Sequence, residues 1–247
     1  MISNILILFF TTLLAGLVAL TIPKIHSKYF YLGLVFSGAF LFSITIVHLL
    51  PELFVNQSNP GMIGMLILVG FFMQLLLDFF TSGVEHGHLH MADEHHHHHS
   101  STIISLLLAL CLHALLEGAL LGHPSEIHQH HQANGLLLGI VLHKMPAAFA
   151  LMTVLLCNYK NKWMAVALLV LFAITTPLGL WLSTFLGSKD IISSTTLAGI
   201  FAIVCGNFLH ISTTIFFESS PSHSFNAPKL LVALLGALLA VSVEFLL

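Results

Sequence analysis

Two polar motifs lie inside long apolar stretches of this 247-residue sequence. The first contains His113 and Glu117, and the second contains His143 followed by Lys144. Ionisable side chains are costly inside a bilayer, so such residues in an apolar segment are candidates for function. Imidazole and carboxylate groups can ligate a divalent metal ion. The two motifs therefore indicate a metal site within a membrane.

The spacing of these residues predicts that they meet at one depth. His113 and Glu117 are four residues apart and share one helix face. His113 lies nine residues before Gly122, where its apolar segment ends. His143 lies nine residues after Asn134, where the next segment begins. At about 1.5 Å per residue, both imidazoles would lie roughly 13 Å below the same membrane edge. We expect two imidazoles and one carboxylate that hold zinc with one coordination position open.

Lys144 lies beside this set, in the middle of its apolar segment. A buried ammonium needs a partner or loses its proton, and Glu117 or another carboxylate near the site is a suitable partner. We interpret Lys144 as a fixed charge in the place of a second cation. The alternative is a lysine that extends to the membrane surface, which its mid-span position disfavours.

The composition predicts an all-α integral membrane protein. Hydrophobic residues make up 57% and charged residues 7% of the chain, whereas soluble domains carry about 25% charged residues. A span needs about 20 apolar residues, and the first apolar run lacks signal-peptide features. We expect a single transport domain over 1–247, without a soluble domain, whose eight transmembrane helices cover the following ranges: 4–22, 30–50, 61–81, 101–122, 134–157, 163–186, 193–216 and 229–247.

The lysines predict the orientation. Five of them would lie on one face of the bundle: Lys24, Lys28, Lys160, Lys162 and Lys229. Cytoplasmic loops are enriched in basic residues, so we expect this face in the cytosol, both termini outside and the 3–4 loop in the cytosol. All seven basic residues are lysines. Without a guanidinium for nucleic-acid recognition, we predict no nucleic-acid partner.

The predicted 3–4 loop, at 82–100, is rich in histidine. It contains eight of them: His86, His88, His90, His95, His96, His97, His98 and His99. Neighbouring neutral imidazoles chelate transition metals, so we predict metal capture or buffering by this loop. The alternative is a flexible polar linker. A purification tag is disfavoured by the internal position.

Prolines and glycines mark special backbone positions within the spans. Pro146 and Pro177 leave carbonyl groups one turn earlier without a backbone donor, which is tolerated beside a cavity, water or ligand. Glycines four residues apart permit close helix approach, and packing is the preferred interpretation of two such pairs: Gly118 with Gly122, and Gly135 with Gly139.

These motifs together resemble those of the ZIP (Zrt-, Irt-like) metal transporters. The segment 113–122 is similar to the family's span-4 signature, and His143-Lys144 to its span-5 signature. The segments 48–52, 176–179 and 206–210 are similar to parts of spans 2, 6 and 7. The matches follow the family's order and cover nearly the whole chain. The histidine-rich loop is also typical of the family. The resemblance implies the eight-helix ZIP fold and transport of zinc, or of iron or manganese, into the cytosol.

The resemblance also implies further pathway residues. His48 and Glu52, at the end of span 2, would attract the ion. His210 stands where an aromatic residue is common, and its interpretation is open between a pathway ligand and packing.

Several positions depart from the family pattern. Family members with two adjacent metal positions carry Asn, Asp and Glu where this chain has Ala114, Lys144 and Thr176. We therefore expect one metal ion per site. Ala147 stands where a Glu or His usually supplies another ligand, which leaves three protein ligands and an open metal preference.

Two alternatives to a metal importer follow from the same residues. The first is an intramembrane metal-dependent hydrolase, because a metal ion with an open coordination position can activate water. The absence of an H-E-x-x-H motif from the sequence disfavours it. A metal efflux carrier also often has a histidine loop. We expect the lipid bilayer and the transported ion as partners, no cofactor, and an ion gradient as the driving force. The oligomeric state is open, a homodimer included.

Overall fold

The computed structural model describes residues 1–21, 27–55, 59–81, 100–122, 132–189, 191, 193–218 and 227–246. All regular secondary structure in these ranges is helical, in the following order: α1 (Ile2–Thr21), α2 (Ser27–Ile44), a π-helical turn (Thr45–Leu49), α3 (Leu50–Val55), α4 (Pro60–Thr81), α5 (Ser100–Leu121), α6 (Gln132–Asn158), α7 (Lys162–Ser188), α8 (Ser194–Glu218) and α9 (Ala227–Leu246). The predicted loop at 82–100 lies outside the described residues, except for Ser100.

Eight segments within the described ranges are long and apolar enough to cross a membrane. They confirm the predicted all-helical multi-span architecture. The second span differs most, because it runs on to Val55 through the π-helical turn, five residues beyond the predicted end at residue 50. Pro51, which has no backbone N–H to donate, is the second residue after the π-helical turn.

The helices pack in two groups. One hydrophobic cluster joins residues of α1, α5, α6 and α7. A second consists mainly of residues from α2, α4, α8, α9 and the first half of α6, and it also includes Leu8 of α1, Leu120 of α5 and Leu180 of α7. The main helix pairs are α5 with α7, α4 with α8, α2 with α9, and α1 with α6 and α7. The helix α6 therefore belongs to the first group and also contacts the second.

The paired helices pack closely where glycines allow their backbones to approach. A Cβ atom on Gly118 would collide with the Thr176 carbonyl oxygen, and one on Gly179 with that of Leu115. The pair α4 and α8 is joined in the same way, by Gly70 and Gly206. Only glycine permits this approach, so the prediction of close packing at Gly118 is confirmed. The two prolines in α6 and α7 interrupt neither helix.

Candidate metal site

The two sequence motifs meet between α5 and α6. His113 and Glu117 lie one turn apart on α5, and His143 lies on α6. All three side chains are buried, with at most 5% of each exposed. The Leu- and Ala-rich sequence around them favours helix, so each side chain projects from a regular backbone. The structure thus brings these three residues together, as the spacing predicts.

Glu117 is the centre of this group. Its Oε1 atom lies 3.0 Å from Nε2 of His113 and 3.9 Å from Nε2 of His143. The imidazole planes are nearly perpendicular, at 88°, with ring centroids 5.9 Å apart. One ligand atom from each residue can be chosen so that all three lie within 4.8 Å of one another.

These distances suit a tetrahedral zinc ion. With ligand bonds of about 2.1 Å, neighbouring ligand atoms around such an ion are about 3.4 Å apart. The separations of 3.0 and 3.9 Å lie on either side of this value, so small rotations of the side chains would complete the geometry. Within the described part of the chain, no other group of three His, Cys, Asp or Glu residues has ligand atoms so close together. Metal binding by these residues stays a prediction.

Lys144 contacts the other oxygen of the same carboxylate. Its Nζ atom donates a hydrogen bond of 2.8 Å to Oε2 of Glu117. The same atom lies 4.8 Å from the ring centroid of Phe172 in α7. Only 2% of Lys144 is exposed, so it does not extend to the membrane surface. The partner that the sequence suggested, Glu117, is the one observed.

The positions that depart from the family pattern offer no further strong ligand. Ala114 and Ala147 are buried methyl groups on α5 and α6. Thr176 is fully buried on α7, where its backbone carbonyl abuts Gly118. Neither alanine replaces the missing carboxylate or imidazole, so the predicted ligand set stays at three residues.

A second polar cluster, the outer cluster, joins His48, Glu52 and Glu244. His48 lies in the π-helical turn, and its Nδ1 atom is 3.1 Å from Oε1 of Glu244 in α9. Its Nε2 atom is 3.7 Å from Oε2 of Glu52, one turn further on in α3. All three side chains are less than 10% exposed. Sequence analysis missed Glu244, although an isolated carboxylate in the last apolar span was a usable signal.

The third polar cluster, the α4–α8 cluster, surrounds His210. Its Nδ1 atom lies 3.2 Å from Oδ2 of Asp78 in α4, and its ring packs edge-on against Phe71. Asp78 also accepts a 3.0 Å hydrogen bond from Gln74. His210 therefore has both a polar partner and an aromatic neighbour, and it does not join the His113 set. Asp78 and Gln74 were missed, although polar residues in an apolar span would have marked them.

Comparison with known proteins identifies the family. The family model described as ZIP Zinc transporter matches residues 85–244. The chain belongs to the ZIP family. This match includes every residue of the His113 set and confirms the resemblance seen in the sequence, together with the eight-helix ZIP fold.

Curated ZIP proteins also match the chain. Zinc transporter ZIP9-B of Xenopus laevis is 31% identical over 165 residues, which cover 64% of this chain and 53% of the relative. Zinc transporter ZIP9 of Micropogonias undulatus is 30% identical over 164 residues, covering 64% and 51%. The chain spans about half the length of the curated relatives it matches.

Proposed function

We propose that this ZIP protein carries a divalent metal ion, zinc foremost and iron or manganese as further candidates, across the membrane into the cytosol. The observation that carries the proposal is the buried set of His113, Glu117 and His143, whose ligand atoms lie within 4.8 Å of one another. Two imidazoles and a carboxylate with an open position can hold zinc without enclosing it. Such a site binds an ion and can also release it.

Family membership and the names of the relatives favour transport over hydrolysis. The matched family is described as zinc transporters, and so are the relatives from Xenopus and Micropogonias. Lys144 also argues against a metalloenzyme with two ions, because its ammonium occupies the second oxygen of Glu117. We therefore treat the intramembrane hydrolase and the efflux carrier as outcomes of the test below.

The two helix groups suggest how the site could open first to one side of the membrane and then to the other. His113, Glu117, His143 and Lys144 all come from α5 and α6, within the group that includes α1 and α7. We propose that this group moves against α2, α4, α8 and α9, and so exposes the site to each side in turn. The backbone contact at Gly118 holds α5 to α7, and the hydrogen bond from Lys144 to Glu117 joins α6 to α5, the two helices that carry the ligands.

The outer cluster supports a role in attracting the ion. Two carboxylates and one imidazole meet there, and all three side chains are almost fully buried. Like charges in such a place are costly unless a cation compensates them. We propose that His48 and Glu52, with Glu244 as a third member, receive the metal from outside. The lysine distribution supports this orientation, with both termini outside.

The α4–α8 cluster supports a role on the cytosolic side. Asp78 lies three residues before the end of α4 at Thr81, just before the histidine-rich segment. We propose that Asp78 and His210 pass the ion toward that segment, whose histidines at 86–99 would capture or buffer it in the cytosol.

Metal uptake into sealed vesicles of known orientation tests the proposed function. The purified protein should transport zinc, and the variant Glu117→Ala should not, although it inserts equally well. The variant Leu112→Ala is a matched control, because Leu112 lies on the same helix with 45% of its surface exposed toward lipid. Uptake that does not depend on Glu117 would refute the site. Flux only out of the cytosolic face would establish an efflux carrier, and metal-dependent hydrolysis without flux would establish an enzyme.

A further inference from the structure

We propose that Phe172 is a positioning residue that sets the metal affinity of the site by holding the Lys144 ammonium on one oxygen of Glu117. This inference rests on the proposed function, because it assumes that Glu117 ligates the transported ion. It assigns a role to an aromatic side chain on α7, which contributes no metal ligand.

Lys144 is held by two partners on two different helices. Its Nζ atom lies 2.8 Å from Oε2 of Glu117 on α5 and 4.8 Å from the ring centroid of Phe172 on α7. Phe172 and Lys144 are each 2% exposed. A cation within about 6 Å of an aromatic centroid is attracted by the ring quadrupole, and the attraction is stronger where water is excluded.

Phe172 lies one helical turn from the close contact between α5 and α7 described above. Phe172 lies four residues before Thr176, so both occupy one face of α7. The carbonyl of Thr176 abuts Gly118, which follows Glu117 directly. Phe172 and Glu117 therefore both lie near the same close contact between α5 and α7.

In this arrangement the two carboxylate oxygens of Glu117 have different partners. Oε2 of Glu117 accepts the hydrogen bond from Lys144, while Oε1 lies 3.0 Å from the His113 imidazole. If Nζ shifted to Oε1, it would occupy the oxygen that the metal needs and place a positive charge beside the ion. The Phe172 ring opposes that shift by adding a second attraction at the present position of Nζ.

The test compares one substitution that removes the aromatic ring of Phe172 with one that keeps it. Phe172→Leu stays apolar and loses the quadrupole, so the KM for zinc should rise about 3- to 30-fold, the range of a buried cation–π contact. The kcat at saturating zinc should change little, because ground-state and transition-state binding are lost together. Phe172→Tyr keeps the ring face, so its KM should stay close to that of the unmutated protein. Titration of the solubilised protein with zinc chloride should give the same ratio of Kd values.

A double-mutant cycle separates positioning from packing. In a Lys144→Met background there is no ammonium to position, so Phe172→Leu should no longer change the KM. Phe149→Leu is the matched control, because Phe149 is buried in the same hydrophobic cluster and packs on Phe30. It should leave the KM unchanged in both backgrounds.

The inference is overturned if Phe172→Leu has no effect, or has the same effect with and without Lys144. It is also overturned if Phe172→Tyr raises the KM as much as Phe172→Leu does, or if Phe149→Leu raises the KM equally. In any of these cases the proposed function stands, provided that uptake still requires Glu117. If uptake is independent of Glu117, the proposed function itself fails.

Discussion

Lys144 and Glu117 form a buried ion pair in which Nζ lies 2.8 Å from Oε2, while Oε1 of the same carboxylate lies near the two imidazoles. One carboxylate therefore faces a fixed cation on one oxygen and a candidate metal position on the other. Breaking a buried ion pair on one side leaves an uncompensated charge. The pair is thus expected to keep Glu117 ionised and oriented when no metal is bound.

The ion pair predicts one metal ion per site. An ammonium about 4 Å from a divalent cation, at an effective dielectric constant of about 20, would repel it by at least about 4 kcal/mol. That energy corresponds to roughly three decades of affinity. Anomalous diffraction at the metal edge should therefore show a single peak at this site. Two adjacent, fully occupied peaks in the unmutated protein, one of them beside Nζ of Lys144, would contradict the prediction. Lys144→Asp should admit a second ion and change selectivity or rate.

Each of the three ligands should be essential for transport. We expect His113→Ala, Glu117→Ala and His143→Ala to weaken zinc binding by more than about 100-fold, because loss of an outer-shell partner alone typically costs 10- to 100-fold. Zinc titration and vesicle uptake at equal protein abundance measure the effect. Leu112→Ala, on the lipid-facing side of α5, should behave as the unmutated protein does. Near-normal uptake by any one of the three variants would remove that residue from the site.

The helical repeat explains which parts of the site were predictable. The four-residue spacing of His113 and Glu117 fixes one helix face, and equal distance from the segment ends places His143 at the same depth. Partners from helices that are remote in sequence have no such local signal. Glu244 lies almost 200 residues from His48, and Phe172 contacts Lys144 from another helix. The π-helical turn at Thr45–Leu49 was also missed, because one extra residue per turn leaves no clear mark in an apolar sequence.

Gly118 should be essential for the packing of α5 on α7. A methyl group at Gly118 would collide with the Thr176 carbonyl, and overpacking of this kind typically costs about 1–3 kcal/mol. We expect Gly118→Ala to lower the melting temperature in detergent and to reduce zinc uptake. Gly64→Ala is the matched control, since no atom lies within 4 Å of the added methyl group. It should be neutral or slightly stabilising, because alanine favours helix over glycine by up to about 1 kcal/mol. Equal melting temperatures for the two variants would argue against the close contact.

The histidine-rich segment should be dispensable for the transport step. A loop in the cytosol, where we propose that this segment lies, can collect metal but cannot line a path through the middle of the membrane. Deletion of residues 86–99 should therefore leave zinc uptake into vesicles within about twofold of the full chain and remove zinc sites counted by titration. If deletion stops uptake in a protein that still folds and binds zinc at Glu117, the segment belongs to the pathway.

Glu244 should matter most when the metal is scarce. Its carboxylate lies 3.1 Å from His48 in the outer cluster, where Glu52 supplies a second carboxylate. If the cluster attracts the ion as we propose, removing one of its charges weakens the encounter but leaves the His113 set intact. We expect Glu244→Gln to raise the KM for zinc about 3- to 10-fold, with kcat nearly unchanged. Ser242→Ala is the control, because the Ser242 hydroxyl donates its hydrogen bond to the Leu238 carbonyl of its own helix. A fall in kcat at unchanged KM would instead show that Glu244 acts after binding, in the movement of α9 against its neighbours.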